Sequence, residues 1–163
     1  MLEWLDRLDP AEADAADDYP FVLAAGQRRM FNANQIFRDP AWRRDDPDGA
    51  MLINPADLAR IGASDGEWIA VASPAGRVVV RCKADDSVRD GLLALPHGYG
   101  QSYPTRDGVR LSNGPRVNML TERGNCDPVA GTPYHKHVRV RLERLPADEA
   151  AAHEEASRRI HAA

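Results

Sequence analysis

The chain has 163 residues, of which 43% are hydrophobic and 28% are charged, a composition that predicts a single globular domain and argues against disorder. The formal net charge of −4 argues against a general electrostatic attraction to nucleic acid, so no nucleic-acid partner is expected. No apolar run approaches the roughly 20 residues needed to span a bilayer, and the acidic N-terminus lacks a secretory signal, so we expect a cytoplasmic protein without a membrane partner.

The first third of the chain contains two short apolar runs, each followed by a polar segment. FVLAAG, residues 21–26, predicts a strand that ends in a glycine, and no helical or strand period follows it. MLIN, residues 51–54, predicts a second strand. NPADLARIG then predicts a short helix, because Asn54 suits the N-cap, Pro55 suits the first helical position and Gly62 suits a left-handed C-terminus.

The rest of the chain is rich in β-forming residues. EWIAVAS and RVVVRCK flank the turn PAG and predict a hairpin. LLALP, residues 92–96, predicts a strand, residues 97–116 predict a long loop because they are rich in glycine and proline, and HVRVRLERL predicts the last strand. This order predicts a mainly β fold: a small closed barrel at residues 20–145, with a linker and helical lead-in at 1–19 and a polar helical tail at 146–163.

The segment after the first strand, AGQRRMFNANQIFRDPAWRR, carries five arginines and several side-chain amides. Glycine at a strand end lets backbone N–H groups approach an anion, and arginine supplies forked donors that match phosphate. The alternative is a solvated basic loop that pairs with the aspartates at 45–48.

Two further stretches contain candidate binding residues. His97, in LPHGYGQSYP, could contact a ligand, act as a general acid or base, or hydrogen-bond the loop backbone. Asn118, Asp127 and Lys136 lie in an irregular, polar approach to the last strand, where they could bind an anion or only cap turns and carry surface charge. Neither stretch contains a nucleophile–base pair, and the separated Cys82 and Cys126 have no metal-ligand spacing, so no catalytic or metal-binding residue is predicted.

Residues 20–145 resemble the C-terminal dinucleotide-binding domain of molybdopterin oxidoreductases, the DMSO reductase and formate dehydrogenase superfamily. The resemblance covers MLINPADLARIGASDGEWIAVASPAGRVVVRCKADDSVRDGLLALPHGYG, the family's Asn-x-Leu-Thr in VNMLT, and the closing Asp-Pro and Pro-x-x-Lys of DPVAGTPYHKHVRVRLE. One stretch departs from the family pattern, because AAGQRR and NAN stand where relatives often carry Thr-Gly-Arg and a histidine-containing loop.

The resemblance implies a double-psi β-barrel with one or two short helices and a C-terminal helical tail. It further implies that the chain binds molybdopterin guanine dinucleotide as the cofactor-binding domain of a molybdenum-dependent oxidoreductase, most like formate dehydrogenase. The cofactor-binding residues that it implies are Gly26, Gln27, Arg28, Asn32, Asn34, Arg38, His97, Gly98, Asn118, Tyr134 and Lys136.

Catalytic members of this family are several hundred residues long and ligate molybdenum upstream of this domain, so the metal would be held by residues outside this chain. The expected partners are the remaining domains or subunits of the parent oxidoreductase, and no turnover is expected from this chain alone. The alternative is a non-catalytic double-psi barrel that serves as a binding or partner-recognition module.

Overall fold

The computed structural model describes residues 18–27, 43, 46–122, 124, 126, 127, 129–132, 134 and 136–162. The helices are α1 (Pro55–Arg60), a 3-10 helix (Val117–Leu120) and α2 (Ala147–His161). The strands are β1 (Phe21–Gln27), β2 (Met51–Ile53), β3 (Trp68–Ser73), β4 (Gly76–Ala84), β5 (Leu92–Pro96), β6 (Gln101–Pro104), β7 (Arg110–Asn113) and β8 (Val138–Arg144).

Six of the strands close into a barrel in the order β1-β5-β2-β4-β3-β8, and β8 returns to pair with β1. Two neighbouring pairs, β1 with β5 and β2 with β4, are parallel, and the other pairs in the barrel are antiparallel. Because a parallel pair needs a long crossover connection, strands distant in sequence become neighbours in the barrel. The mainly β prediction and the closed barrel are thereby confirmed.

The barrel interior is filled by aliphatic side chains from each of the six barrel strands. Leu23, Ile53, Ile69, Leu93 and Val140 are all fully buried there. Alternation along a strand places every second side chain inside, and the pattern of β8 follows this rule with Val138 and Val140 buried, Arg139 between them partly exposed and Arg141 exposed. The apolar runs in the sequence therefore form one continuous core.

Strand β3 is buried on both faces. Ile69 and Val71 belong to the barrel core, whereas Trp68 lies on the other face, where its indole Nε1 donates a hydrogen bond to Glu154 of α2 at 2.9 Å. Helix α2 also buries Ser157 and Ile160. The predicted C-terminal helix is therefore confirmed, and it packs against the outside of the barrel.

Helix α1 has the N-terminal signals that the sequence predicts. The Asn54 side chain accepts a hydrogen bond from the Ala56 N–H at 2.9 Å, Pro55 opens the helix, and Gly62 follows its end with φ of +68°. The buried Asp57 accepts a hydrogen bond from the Gly91 N–H at 2.7 Å, which fastens the helix to the start of β5.

The prediction of a long loop at residues 97–116 is wrong. Strands β6 and β7 form an antiparallel hairpin inside this segment, with Ser102 paired to Ser112. Thr105 closes its tip, since its N–H donates to the Val109 carbonyl at 2.8 Å and its carbonyl accepts from the Gly108 N–H at 2.9 Å. The strands were missed because they are short and polar and lie between glycines and prolines that usually mark loops.

The proposed division into 1–19, 20–145 and 146–163 stays a prediction, and residues 1–17 lie outside the described part. Within the residues that the structure describes, no helix combines the length and the apolar character required to cross a membrane.

Candidate ligand-binding cleft

A cleft of about 540 Å³ opens at the rim of the barrel where the parallel strands β1 and β5 both end. Its other wall is formed by the start of β6 and by the 3-10 helix. The described residues that line it are Ala25, Gly26, His97, Gly98, Tyr99, Gly100, Gln101, Arg116, Val117, Asn118 and Met119.

Gly26 produces an irregularity at the end of β1. Ala25 pairs with Leu95 and Gln27 pairs with Pro96, so Gly26 is an extra residue in the ladder, and its φ is +81°. A bulge of this kind bends a strand, and bulges are common at barrel rims beside functional sites. The bulge exposes the Gly26 backbone to the cleft.

The turn after β5 forms the opposite side of the cleft. Gly98 and Gly100 have φ of +89° and +76°, a region that favours glycine. The Gly100 carbonyl accepts a hydrogen bond from Arg116 Nε at 2.7 Å, and a Cβ added at Gly100 would collide with Cγ of Arg116. The sequence HGYG therefore permits a close approach between this turn and the segment before the 3-10 helix.

The 3-10 helix presents Asn118 and Met119 to the cleft and buries Val117 and Leu120 in the core. It is held by the β3–β4 turn, where Ser73 Oγ donates a hydrogen bond to the Leu120 carbonyl at 2.9 Å. The absence of a side chain at Gly76 leaves room for the Met119 carbonyl. One hydrogen bond and one close steric fit from the barrel thus hold the helix that carries Asn118.

The polar groups of the cleft are suited to an anionic, heterocyclic ligand. Arg116 is the permanently charged side chain in the described lining, and its Nε bond to Gly100 fixes the guanidinium. Asn118 and Gln101 offer amide donors and acceptors, and His97 is half-buried beside them. The described residues contain no group of three or more His, Cys, Asp or Glu that could hold a metal ion.

Four of the residues predicted from the sequence meet in this cleft, namely Gly26, His97, Gly98 and Asn118. Gln27 ends β1, and its side chain is not among those described. Arg28, Asn32, Asn34 and Arg38 lie outside the described residues.

The remaining two predicted residues lie elsewhere in the described structure. Tyr134 lines a separate hollow of about 130 Å³ together with Leu120 and His137. Lys136 is exposed and is not part of the described lining of the cleft. Their roles toward a ligand stay predictions.

Several lining residues were not predicted from the sequence, most importantly Tyr99, Gly100, Gln101 and Arg116. A usable signal was present in two places. Gly100, the second glycine of HGYG, lies in the same turn after the strand LLALP as Gly98. Arg116 immediately precedes VNMLT, the motif that contains Asn118.

Comparisons with known proteins agree with the fold. The chain matches the family described as Molydopterin dinucleotide binding domain over residues 21–139, a range that includes every described residue of the cleft lining. A solved structure of acetylene hydratase from Pelobacter acetylenicus has the same fold, with a TM-score of 0.70 at 24% identity over 83% of this chain and 20% of that chain.

Curated relatives are much longer than this chain. Acetylene hydratase of Syntrophotalea acetylenica is 30% identical over 130 residues, which cover 76% of this chain and 18% of that protein. The arsenate respiratory reductase molybdopterin-containing subunit ArrA of Shewanella sp. (strain ANA-3) is 30% identical over 151 residues, covering 84% and 17%. The F420-dependent formate dehydrogenase 1 subunit alpha of Methanococcus maripaludis is 22% identical over 143 residues, covering 86% and 19%.

The match to the family extends over most of the barrel, from the start of β1 into β8. The relatives at 30% identity cover more than two thirds of the chain. The chain therefore belongs to the family of molydopterin dinucleotide binding domains.

Proposed function

We propose that the cleft between β1, β5 and the 3-10 helix binds the nucleotide end of molybdopterin guanine dinucleotide. The observation that carries this proposal is the convergence of the Gly26 bulge, the His97–Gly100 turn and Asn118 at one rim of the barrel. In open and closed β-structures alike, loops that converge at strand ends are common positions for ligand sites. Membership of the family supports a molybdopterin cofactor.

The chemistry of the cleft fits such a group. Because Gly26 and Gly98 have no side chain, the backbone is uncovered where phosphate could approach, and Arg116 supplies a fixed cation for the same anion. Asn118 can hydrogen-bond the edge of a heterocycle. The volume of about 540 Å³ lies within the roughly 300–1,000 Å³ of small-molecule sites.

A bound molybdopterin group supplies the redox chemistry through a metal ligated outside this chain, and the residues of this chain bind and orient the nucleotide. We further propose that Gln27, Arg28, Asn32, Asn34, Arg38, Tyr134 and Lys136 extend the site beyond the described cleft. We also propose that the two parallel strand pairs are the crossings of a double-psi barrel.

The parent protein is proposed to be a molybdenum-dependent oxidoreductase of the formate dehydrogenase type, with its other domains or subunits as partners. The chain spans less than a fifth of the length of the curated relatives reported above, and one of them is a formate dehydrogenase subunit. The nucleotide is then shared with the rest of the parent. We expect the isolated chain to reduce or oxidise neither formate nor nitrate, and measurable turnover by the purified chain would contradict this expectation.

Amide chemical shifts during titration with GDP, GMP, ADP and guanosine test the proposal. GDP is expected to shift the signals of Gly26, His97–Gln101 and Asn118, and Asn118→Ala should weaken its binding. The absence of a GDP response in these residues overturns the nucleotide site and favours the partner-recognition module. An equal response to ADP overturns the preference for guanine.

The two lysines of the chain provide a matched pair for the proposed extension of the site. Lys136→Ala is expected to weaken GDP binding, whereas Lys83→Ala removes an exposed lysine of β4 that is not in the described cleft lining and should leave the affinity unchanged. Equal GDP affinities of the two variants would show that Lys136 does not contribute to the site.

A further inference from the structure

Arg43 is a fully buried cation directly behind the wall of the cleft. Its exposed fraction is 0%, and its Nη2 donates a hydrogen bond to the Gly98 carbonyl at 3.0 Å. Its guanidinium carbon lies 4.2 Å from the centre of the Tyr99 ring. Both Gly98 and Tyr99 line the cleft, whereas Arg43 is fully buried and is not part of the described lining, so Arg43 contacts these residues from behind the wall.

Tyr99 connects Arg43 to the segment that leads into β2. Its hydroxyl donates a hydrogen bond to the Asp46 carbonyl at 2.6 Å. Its ring fills the space left by two glycines, since a Cβ at Gly49 would be 2.7 Å from the ring and a Cβ at Gly114 would be 2.8 Å from it. We call Arg43, Asp46 and Tyr99 the arginine–tyrosine clamp.

The guanidinium of Arg43 in this clamp is incompletely hydrogen-bonded, which does not favour stability. Among the described residues, Nε and Nη1 of Arg43 are buried without a hydrogen-bond partner. Burial lowers the pKa of Arg43 from its ordinary value, although Tyr99 and Asp46 oppose this effect. A buried charge whose donors are incompletely paired costs free energy of folding, so its presence calls for an explanation other than stability.

The position of the clamp offers such an explanation in two parts. A trans peptide is planar, so holding the Gly98 carbonyl toward Arg43 also fixes the direction of the N–H group that follows it. The turn is thereby held in the conformation that Gly98 adopts, with φ of +89°. In addition, a cation in a poorly solvated position acts over a longer range than one in water, and it makes the potential in the cleft more positive.

We propose that Arg43 is a positioning residue for the phosphate of the bound nucleotide: it holds the His97–Gly100 turn in place from behind and attracts the anion through its buried charge, without touching the ligand. This inference rests on the proposed function, because it assigns a role in binding the same nucleotide.

The test compares Arg43→Met and Arg43→Lys with a matched control, Arg81→Met. Arg81 also stacks on an aromatic ring, at 4.7 Å from the centre of Trp68, and hydrogen-bonds Asp48 and Glu154, but it is not in the described cleft lining. Amide hydrogen exchange of residues 97–101 in the ligand-free chain reports the turn. GDP carries phosphates and guanosine does not, so the two affinities separate the contribution of the anion to binding from that of the base.

We expect Arg43→Met to accelerate amide hydrogen exchange at residues 97–101. It should also lower the affinity for GDP at least about tenfold and lower the affinity for guanosine by less. Arg43→Lys retains the charge but not the planar fork and stack, so it should recover part of the GDP affinity while exchange stays fast. Arg81→Met should leave exchange at 97–101 and both affinities unchanged. An Arg43→Met variant with wild-type exchange and GDP affinity would overturn the inference.

Two further outcomes keep this inference separate from the proposed function. If Arg43→Met does not fold, Arg43→Lys decides: faster exchange confined to 97–101 supports positioning, and unchanged exchange refutes it. If GDP does not bind the wild-type chain, the nucleotide site and the attraction of the anion by Arg43 are both refuted. The exchange comparison in the ligand-free chain then still decides whether Arg43 holds the turn.

Discussion

Replacement of Gly76 by alanine should disturb the cleft through the 3-10 helix that forms one of its walls. Gly76 opens β4, and a Cβ placed there would lie 2.5 Å from the Met119 carbonyl oxygen. Carbon–oxygen contacts in proteins are usually about 3.3 Å or longer, so the 3-10 helix or the turn must move by roughly 0.8 Å. Because Asn118 is part of this helix, the displacement should reach the cleft.

The magnitude follows from the type of contact. The obstacle is a backbone atom, and the same helix is held by the bond from Ser73 Oγ to the Leu120 carbonyl, so a side-chain rotation cannot relieve the overlap. Overpacking of this kind costs about 1–3 kcal/mol. In a chain of this size each kcal/mol lowers the melting temperature by about 2–4 °C, so we expect a decrease of roughly 2–12 °C.

Thermal unfolding and amide chemical shifts check this expectation, with Gly124→Ala as the control. A Cβ at Gly124 meets no atom within 4 Å, so this variant should melt near the wild-type temperature. In Gly76→Ala the signals of residues 117–120 should move. The reasoning is refuted if Gly76→Ala melts with the control and those signals keep their wild-type positions.

The remaining predictions concern the outer helix and the two cysteines. Burial raises the pKa of Asp48, but hydrogen bonds from His161 and Ser157 outweigh it and leave the pKa below the ordinary 3.8. The stabilisation by ionised Asp48 is therefore fully present above pH 3.8 and is lost as the pH falls through the lower pKa of the folded state. Urea titration of wild type and Asp48→Asn should show that their difference in unfolding free energy shrinks as the pH falls below 3.8. A difference that stays constant would contradict this prediction. Burial raises the pKa of the Cys82 thiol to about 12. Iodoacetamide at pH 8 should therefore label the half-buried Cys126 in the folded chain and should label Cys82 only after unfolding, as followed by mass spectrometry. Labelling of Cys82 in the folded chain would contradict the reasoning.

The barrel strands and the first helix were predictable from the sequence because their signals are local. Alternation of apolar residues marks β8, β-forming residues around PAG mark β3 and β4, and Asn54 with Pro55 marks the start of α1. The hairpin of β6 and β7 was not predictable in this way. Its strands are stabilised by pairing with each other and by packing near α2, rather than by an apolar face of their own.

The cleft could be predicted only in part. Gly26, His97 and Gly98 stand beside the ends of β1 and β5, and the ends of neighbouring parallel strands meet at one rim. Asn118 instead lies on the 3-10 helix, and its place in VNMLT is what singled it out. The burial of Arg43 depends on partners 55 and 56 residues further along the chain, at Gly98 and Tyr99, and no local pattern encodes such a contact.

The pairing of β1 with β8 has a consequence for how the protein is made. Phe21 pairs with Val140, and β8 also pairs with β3, so the last barrel strand joins two others that leave the ribosome long before it. Until β8 emerges, β1 and β3 each have an unpaired edge. An unpaired strand edge can pair with another chain and so lead to aggregation, which chaperones counteract. Truncation before Val138 should therefore yield aggregated protein instead of a shorter barrel, and the pairing of the final strand with β1 and β3 should be the slow step of folding.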